Sequence, residues 1–131
     1  MKCECSLRVR SYECDIYGHV NNANYLHYLE YARYEFLRDI DFDFPALTKA
    51  DYGIYIARIE IDYKAPALTD DLLTLWTWPV KKGSASGVLA QEIRRGEALI
   101  VAARVTWALV NSRTGMPAKI PAQWDLPALR P

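Results

Sequence analysis

One stretch of this chain, Asn21 to Ile40, repeats its apolar residues with the period of an α-helix, and the other patterned stretches alternate with the period of a strand. In NNANYLHYLEYARYEFLRDI, Tyr25, Leu29, Ala32, Phe36 and Ile40 share one helix face. Asn21 or Asn22 can cap its start by accepting first-turn N–H groups. A single long helix of about five turns must therefore find its cover in strands.

Those strands are legible. From Lys2 to Ser11, Cys3, Cys5, Leu7 and Val9 alternate with Glu4, Ser6, Arg8 and Arg10, the pattern of a half-buried strand. After a connector with Pro45 and a short helical turn at Ala46–Asp51, alternation returns with Tyr55, Ala57, Ile59, Ile61 and Tyr63 on one face, and Pro66 ends it. Further strands are predicted at about Leu72–Val80, Ser86–Arg94 and Ala98–Asn111, with turns at Gly83 and Gly96. The tail from Met116 carries four prolines and is expected to be irregular, with one helical turn near Gln123. The order strand, helix, four strands predicts an α+β fold in which a five-stranded antiparallel sheet curls around one helix. The last strand is apolar on nearly both faces and belongs inside the sheet. The second has an uncovered edge, a place for a second copy to pair.

At 131 residues the chain has room for one core, so residues 1–131 are expected to form a single domain. Sixteen basic against sixteen acidic residues give zero formal charge, which argues against a nucleic-acid partner. No window is apolar enough to span a membrane, and MKCECSLRVR lacks the apolar run of a secretory signal, so a cytoplasmic protein is expected. Cys3, Cys5 and Cys14 are an odd number for a disulfide framework, which a chain of this size does not need, and Cys3 and Cys5 with His19 lack a second ligand pair for a closed metal site. Neither a metal nor a cofactor is expected.

The stretch that carries chemistry is Asp15-Ile16-Tyr17-Gly18-His19-Val20-Asn21-Asn22-Ala23-Asn24-Tyr25, between the first strand and the helix. Gly18 allows a tight turn or a close approach to a ligand. The helix start beyond it offers N–H groups without intrahelical acceptors, and these can stabilise a carbonyl oxygen that gains charge. An ordinary Asp side chain, with a pKa of about 3.9, is ionised at neutral pH, and a carboxylate at position 15 can serve as base or nucleophile. The residues alone leave other readings open: Asp15 satisfying loop amides, His19 as a structural residue, Asn21-Asn22 as a cap and nothing more.

The pattern D-x-x-G-H-V-N-N-x-x-Y, followed by YLEYARYEFL and four strands, resembles the hotdog-fold acyl-CoA thioesterases of the 4-hydroxybenzoyl-CoA thioesterase type, including those whose motif reads GHVNN. The resemblance runs from about Leu7 to Trp124. It implies a hotdog fold, a homodimer or homotetramer joined through sheet edges, and acyl-CoA bound between subunits. It puts the catalytic carboxylate on Asp15, acting directly or through water, and the oxyanion donors at the backbone of Asn22 and Ala23. Gly18, His19 and Asn21 would shape that loop. Tyr25, although on the helix's core face, is kept among the substrate contacts with Ile54, Tyr55 and Ile56. Lys81 and Lys82, with Arg94 and Arg95, are the candidates for CoA phosphates, and an acyl-carrier-protein thioester is the alternative substrate. A binding module without catalysis, or a hydratase or dehydratase on the same fold, are the competing readings.

Overall fold

The computed structural model describes residues 1–131. The elements are β1 (Cys3–Arg8), α1 (Asn22–Asp39), α2 (Phe44–Lys49), β2 (Tyr52–Tyr63), β3 (Leu72–Lys82), β4 (Ser86–Arg95) and β5 (Ala98–Asn111), with single 3₁₀ turns at Ser11–Glu13, Ala122–Trp124 and Pro127–Leu129. All neighbouring strands are antiparallel, in the order β1-β3-β4-β5-β2. This is the five-stranded sheet around one long helix that defines the hotdog fold. As expected, β5 is internal and β2 is an edge strand.

The helix forms where its period predicts. Tyr25, Leu29, Ala32 and Phe36 are buried, and Tyr28 joins them. Phe36 and Leu29 are wholly excluded from solvent. Along α1 the core divides into two clusters. The first packs the helix's N-terminal half on Leu73, Leu75, Ile93 and Val101. The second gathers Phe36, Leu47, Leu89, Trp107 and Leu109 with Ile120, Trp124 and Leu129 of the tail. No helix is long and apolar enough to cross a membrane, and no group of three or more His, Cys, Asp or Glu is arranged to hold a metal ion.

Three register slips interrupt the sheet, at Ile56/Arg58, Pro79/Lys81 and Ile93/Arg94, and the first two change which way candidate site residues face. On β2 the pairing with β5 slips between Ile56 and Arg58, leaving Ala57 as the extra residue. Because a strand alternates with period two, one extra residue reverses the phase beyond it. Ile54 and Ile56, opposite Leu109 and Trp107, therefore share the inner face with Ile59 and Ile61, opposite Val105 and Ala103. Tyr55, opposite Ala108, lies on the outer face. The expectation that Tyr55 shares a face with Ile59 and Ile61 and lines the acyl site is corrected on this ground. Its ring lies over Gly53, where a Cβ would come within 2.7 Å of the ring.

The second slip, on β3 between Pro79 and Lys81, acts the same way. It brings Lys82 opposite Gly87, whose other neighbour is the inward Trp107. The Lys82 side chain is only 6% exposed and its ammonium lies 3.3 Å from Asp125. The expectation of a surface lysine for CoA phosphates is thus corrected for Lys82: the bulge turns it inward. Lys81 stays exposed.

Candidate active site

The connection from β1 to α1 closes on itself before reaching solvent. Cys14 and Val20 face each other in an isolated antiparallel bridge. The Asp15 N–H donates to the His19 carbonyl at 2.8 Å, and the Gly18 N–H to the Asp15 carbonyl at 3.0 Å. A loop this short needs one residue in the left-handed region, and Gly18 supplies it with φ of 75°. Asp15 stands at the base of the loop, where its Oδ1 accepts from the Tyr17 N–H at 2.8 Å and the His19 N–H at 3.3 Å. Those bonds fix the carboxylate while Oδ2 carries no bond within the chain. Beside it, Ile16 is 93% and Tyr17 76% exposed. His19 is exposed, and its backbone pairs with Leu68.

The loop rests on a buried carboxylate that the sequence did not single out. Glu13 is 8% exposed. Its Oε1 accepts from the Arg10 N–H and from the Tyr28 hydroxyl, both at 2.8 Å, and its Oε2 meets the Arg10 guanidinium at 3.0 Å. The Glu13 carbonyl accepts from the Asn21 N–H at 2.9 Å and from Asn24 Nδ2 at 2.8 Å. One residue so joins loop, helix start and helix interior. Burial, with the Glu13 carboxylate next, pushes the Tyr28 pKa up, so its hydroxyl stays a donor. No local pattern around Glu13 marks this, because its partner Tyr28 is fifteen residues away.

At the helix start Asn21 is the cap, its Oδ1 accepting from the Ala23 N–H at 2.9 Å. That engages one of the two expected oxyanion donors. The Asn22 N–H has no acceptor within the chain and is the open amide at the positive end of α1. Asn22 is also tied to the sheet, its carbonyl accepting from the Tyr63 hydroxyl at 3.2 Å. Tyr25 is a core residue: it is 4% exposed and its hydroxyl accepts from the Ala67 N–H at 3.0 Å. Placing Tyr25 among the substrate contacts is corrected, since burial under Tyr63 leaves it no open face.

An apolar cavity opens at the other half of α1. It holds about 130 Å³ between Phe36 and Leu37 of α1, Phe44, Ile54 and Ile56 of β2, Leu89, Trp107 and Leu129, with Glu30, Arg33 and Tyr34 also lining it. Ile54 and Ile56, named above among the candidate substrate contacts, both line it. Trp107 can lie flat over β4 because residue 87 is glycine; a Cβ there would sit 2.6 Å from the indole. Arg33 donates to Gln91 Oε1 at 3.1 Å, and burial pushes its pKa down. Gln91 in turn donates to the Leu29 carbonyl and to Thr77 Oγ1, both at 3.0 Å. The signal for Gln91 was its place between Leu89 and Ile93, a polar residue on an apolar face. Among the expected phosphate ligands, Arg94 is paired with Glu92 at 3.2 Å and Arg95 with Asp71 at 2.7 Å.

Residues 9–127 match the thioesterase-like superfamily. The chain belongs to that superfamily. Within it, the long-chain acyl-CoA thioesterase FadM of Escherichia coli is 35% identical over 113 residues, covering 85% of each chain. The acyl-acyl carrier protein thioesterase ATL3 of Arabidopsis thaliana is 31% identical over 90 residues, which are 69% of this chain and 44% of the plant protein. The crystal structure of a probable thioesterase from Bartonella henselae superposes with a TM-score of 0.86 at 32% identity, covering 92% of this chain and 100% of the other. This thioesterase is therefore an enzyme of the thioester-hydrolase class, as the resemblance implied.

Proposed function

We propose that this thioesterase hydrolyses acyl-CoA to a free carboxylic acid and CoA, as a member of the GHVNN subgroup, with Asp15 as its catalytic carboxylate. Oδ2 of Asp15 either attacks the thioester carbon, forming an acyl-aspartyl anhydride that water then hydrolyses to release the acid and restore the carboxylate, or takes a proton from the water that attacks the thioester directly. The Asn22 N–H stabilises the oxygen that becomes negative, aided by the helix dipole. CoA leaves as its thiolate. Gly18 and Asn21 hold the loop, and His19 closes it through its backbone. The single observation that carries this reading is the Asp15 carboxylate fixed through one oxygen, free at the other, one loop away from an unpaired helix N-terminal amide.

Asn22 and Arg33 are separated by ~17 Å along α1 at 1.5 Å per residue, so loop and cavity lie apart in one chain. Tyr63 ties the helix start to one end of β2, while Ile54 and Ile56 hold the cavity at the other end. Antiparallel pairing of two β2 edges sets the helix start of one copy beside the cavity of its partner. A homodimer, alone or within a tetramer, thus completes the site.

The acyl group runs into the apolar cavity, and Lys81 is the one remaining candidate of the four for the CoA phosphates. An acyl-carrier-protein thioester is the second substrate reading, favoured by the identity to ATL3. Thiol release from acyl-CoAs and from acyl-carrier-protein thioesters, by wild type and Asp15→Asn, tests the reading. Equal release by both proteins contradicts the role of Asp15. Release confined to carrier-protein thioesters replaces the substrate.

A further inference from the structure

The chain after β5 turns back across the molecule and delivers one side chain to the cavity. The Asn111 N–H donates to the Met116 carbonyl, the Ala118 N–H to Leu109, and the Ile120 N–H to Ser84 in the β3–β4 turn, all at 2.9–3.0 Å. Trp124 then reaches α2, its Nε1 donating to the Asp43 carbonyl at 3.2 Å. Ile120, Trp124 and Leu129 are 3%, 5% and 5% exposed. An irregular segment held so tightly is serving the packing at this end of α1.

Its anchor is charged. Asp125 lies 3.3 Å from the inward-turned Lys82 ammonium and 3.0 Å from the Arg130 guanidinium. Lys82 is nearly excluded from water, so removing Asp125 would strand a buried positive charge. The bulge on β3 that takes Lys82 away from the surface is what makes this anchor. Beyond Asp125, the last 3₁₀ turn, Pro127–Leu129, sets Leu129 against the cavity wall with Phe36, Leu89 and Trp107.

We propose that the tail is the length stop of the acyl site: Leu129 closes the cavity, and the Lys82–Asp125–Arg130 cluster holds the stop in place. The inference rests on the cavity taking the acyl group, as proposed above, and adds which residue limits it. Leu129→Ala lengthens the cavity and Leu129→Trp shortens it, so the two substitutions move selectivity in opposite directions. Asp125→Asn loosens the anchor and acts in the direction of Leu129→Ala.

The experiment is kcat/KM over a short-to-long series of saturated acyl-CoAs with full-length wild type, Leu129→Ala and Leu129→Trp, each checked for cooperative unfolding. The long-to-short ratio is expected to rise about tenfold in the alanine variant and fall about tenfold in the tryptophan variant. An unchanged ratio in two folded variants overturns the proposal. Displacement of a fluorescent fatty acid by fatty acids of the same series gives a second readout that needs no hydrolysis. Should wild type release no CoA, the hydrolase reading falls, while opposite shifts in displacement still uphold the length stop. Absence of such shifts, or of fatty-acid binding, overturns it.

Discussion

At its N-terminal end α1 meets a polar loop whose residues Asp15 to His19 are all exposed; at its C-terminal end it is sealed by Phe36, Trp107, Trp124 and Leu129. The first end fixes functional groups through backbone bonds and leaves large apolar side chains in water. The second packs large apolar side chains and a lysine stem around the apolar cavity. The difference teaches where each end takes its order from: the sealed end from packing of side chains, the open end from the backbone and side-chain hydrogen bonds beneath it. Substitutions at the two ends should accordingly separate activity from stability.

The sharpest separation is expected from Asp15→Asn. The amide keeps an oxygen for the Tyr17 and His19 N–H groups, so unfolding should be nearly unchanged while kcat/KM falls on the order of 10²-fold or more. Thermal melts run beside thiol-release assays check both. At the sealed end, Phe36→Ala removes a wholly buried ring and should cost about 3–5 kcal/mol, read by urea denaturation. Glu13→Ala breaks the comparison on purpose, because it lies beneath the open loop yet is buried. Leaving the Arg10 N–H and the Tyr28 hydroxyl unpaired should cost about 2 kcal/mol and lower activity as well. Stability loss with unchanged kcat/KM would show that the loop does not depend on Glu13. Asn21→Ala, which removes the cap, should cost about 1 kcal/mol in the same denaturation assay.

The smallest effect is a pH dependence remote from both ends. Burial acts to raise the Asp71 pKa, but the Leu68 N–H and the Arg95 guanidinium outweigh it and hold the carboxyl below its ordinary value of 3.8. A group depressed in the folded state contributes stability above its unfolded pKa and loses it as pH falls through the folded one. Asp71→Asn should therefore cost stability at neutral pH and cost progressively less below about pH 4, in denaturation curves across that range.

The helix and strands were legible because their periods differ, and the loop's tight turn into the helix was legible because Asp15, Gly18 and the helix cap follow one another in the chain. Tyr55 was placed on the wrong face because a bulge adds a residue without changing residue type, so alternation counted across Ala57 runs out of phase without any local sign. Lys82 was read from its place before the Gly83 turn, and the bulge at Val80 that turns it inward leaves no local sign either. Ala23 was misread because a cap and an oxyanion donor draw on the same first-turn amides, and the asparagine that marks the helix start also consumes one of them. Glu13 depends on a tertiary partner that no spacing announces. The tail's irregularity was foreseen; its role was not, because prolines mark where regular structure ends but not what the segment covers.

The central claim is that the carboxylate of one copy serves the cavity of its partner. Mixing Asp15→Asn with Leu37→Trp, which fills the cavity from α1, tests it by complementation. After subunit exchange, statistical pairing gives one intact site in about a quarter of all sites if the two components come from different chains, so activity should return to about that fraction of wild type. No recovery, with exchange between the variants verified, would mean that carboxylate and cavity serve the same active site from within a single chain.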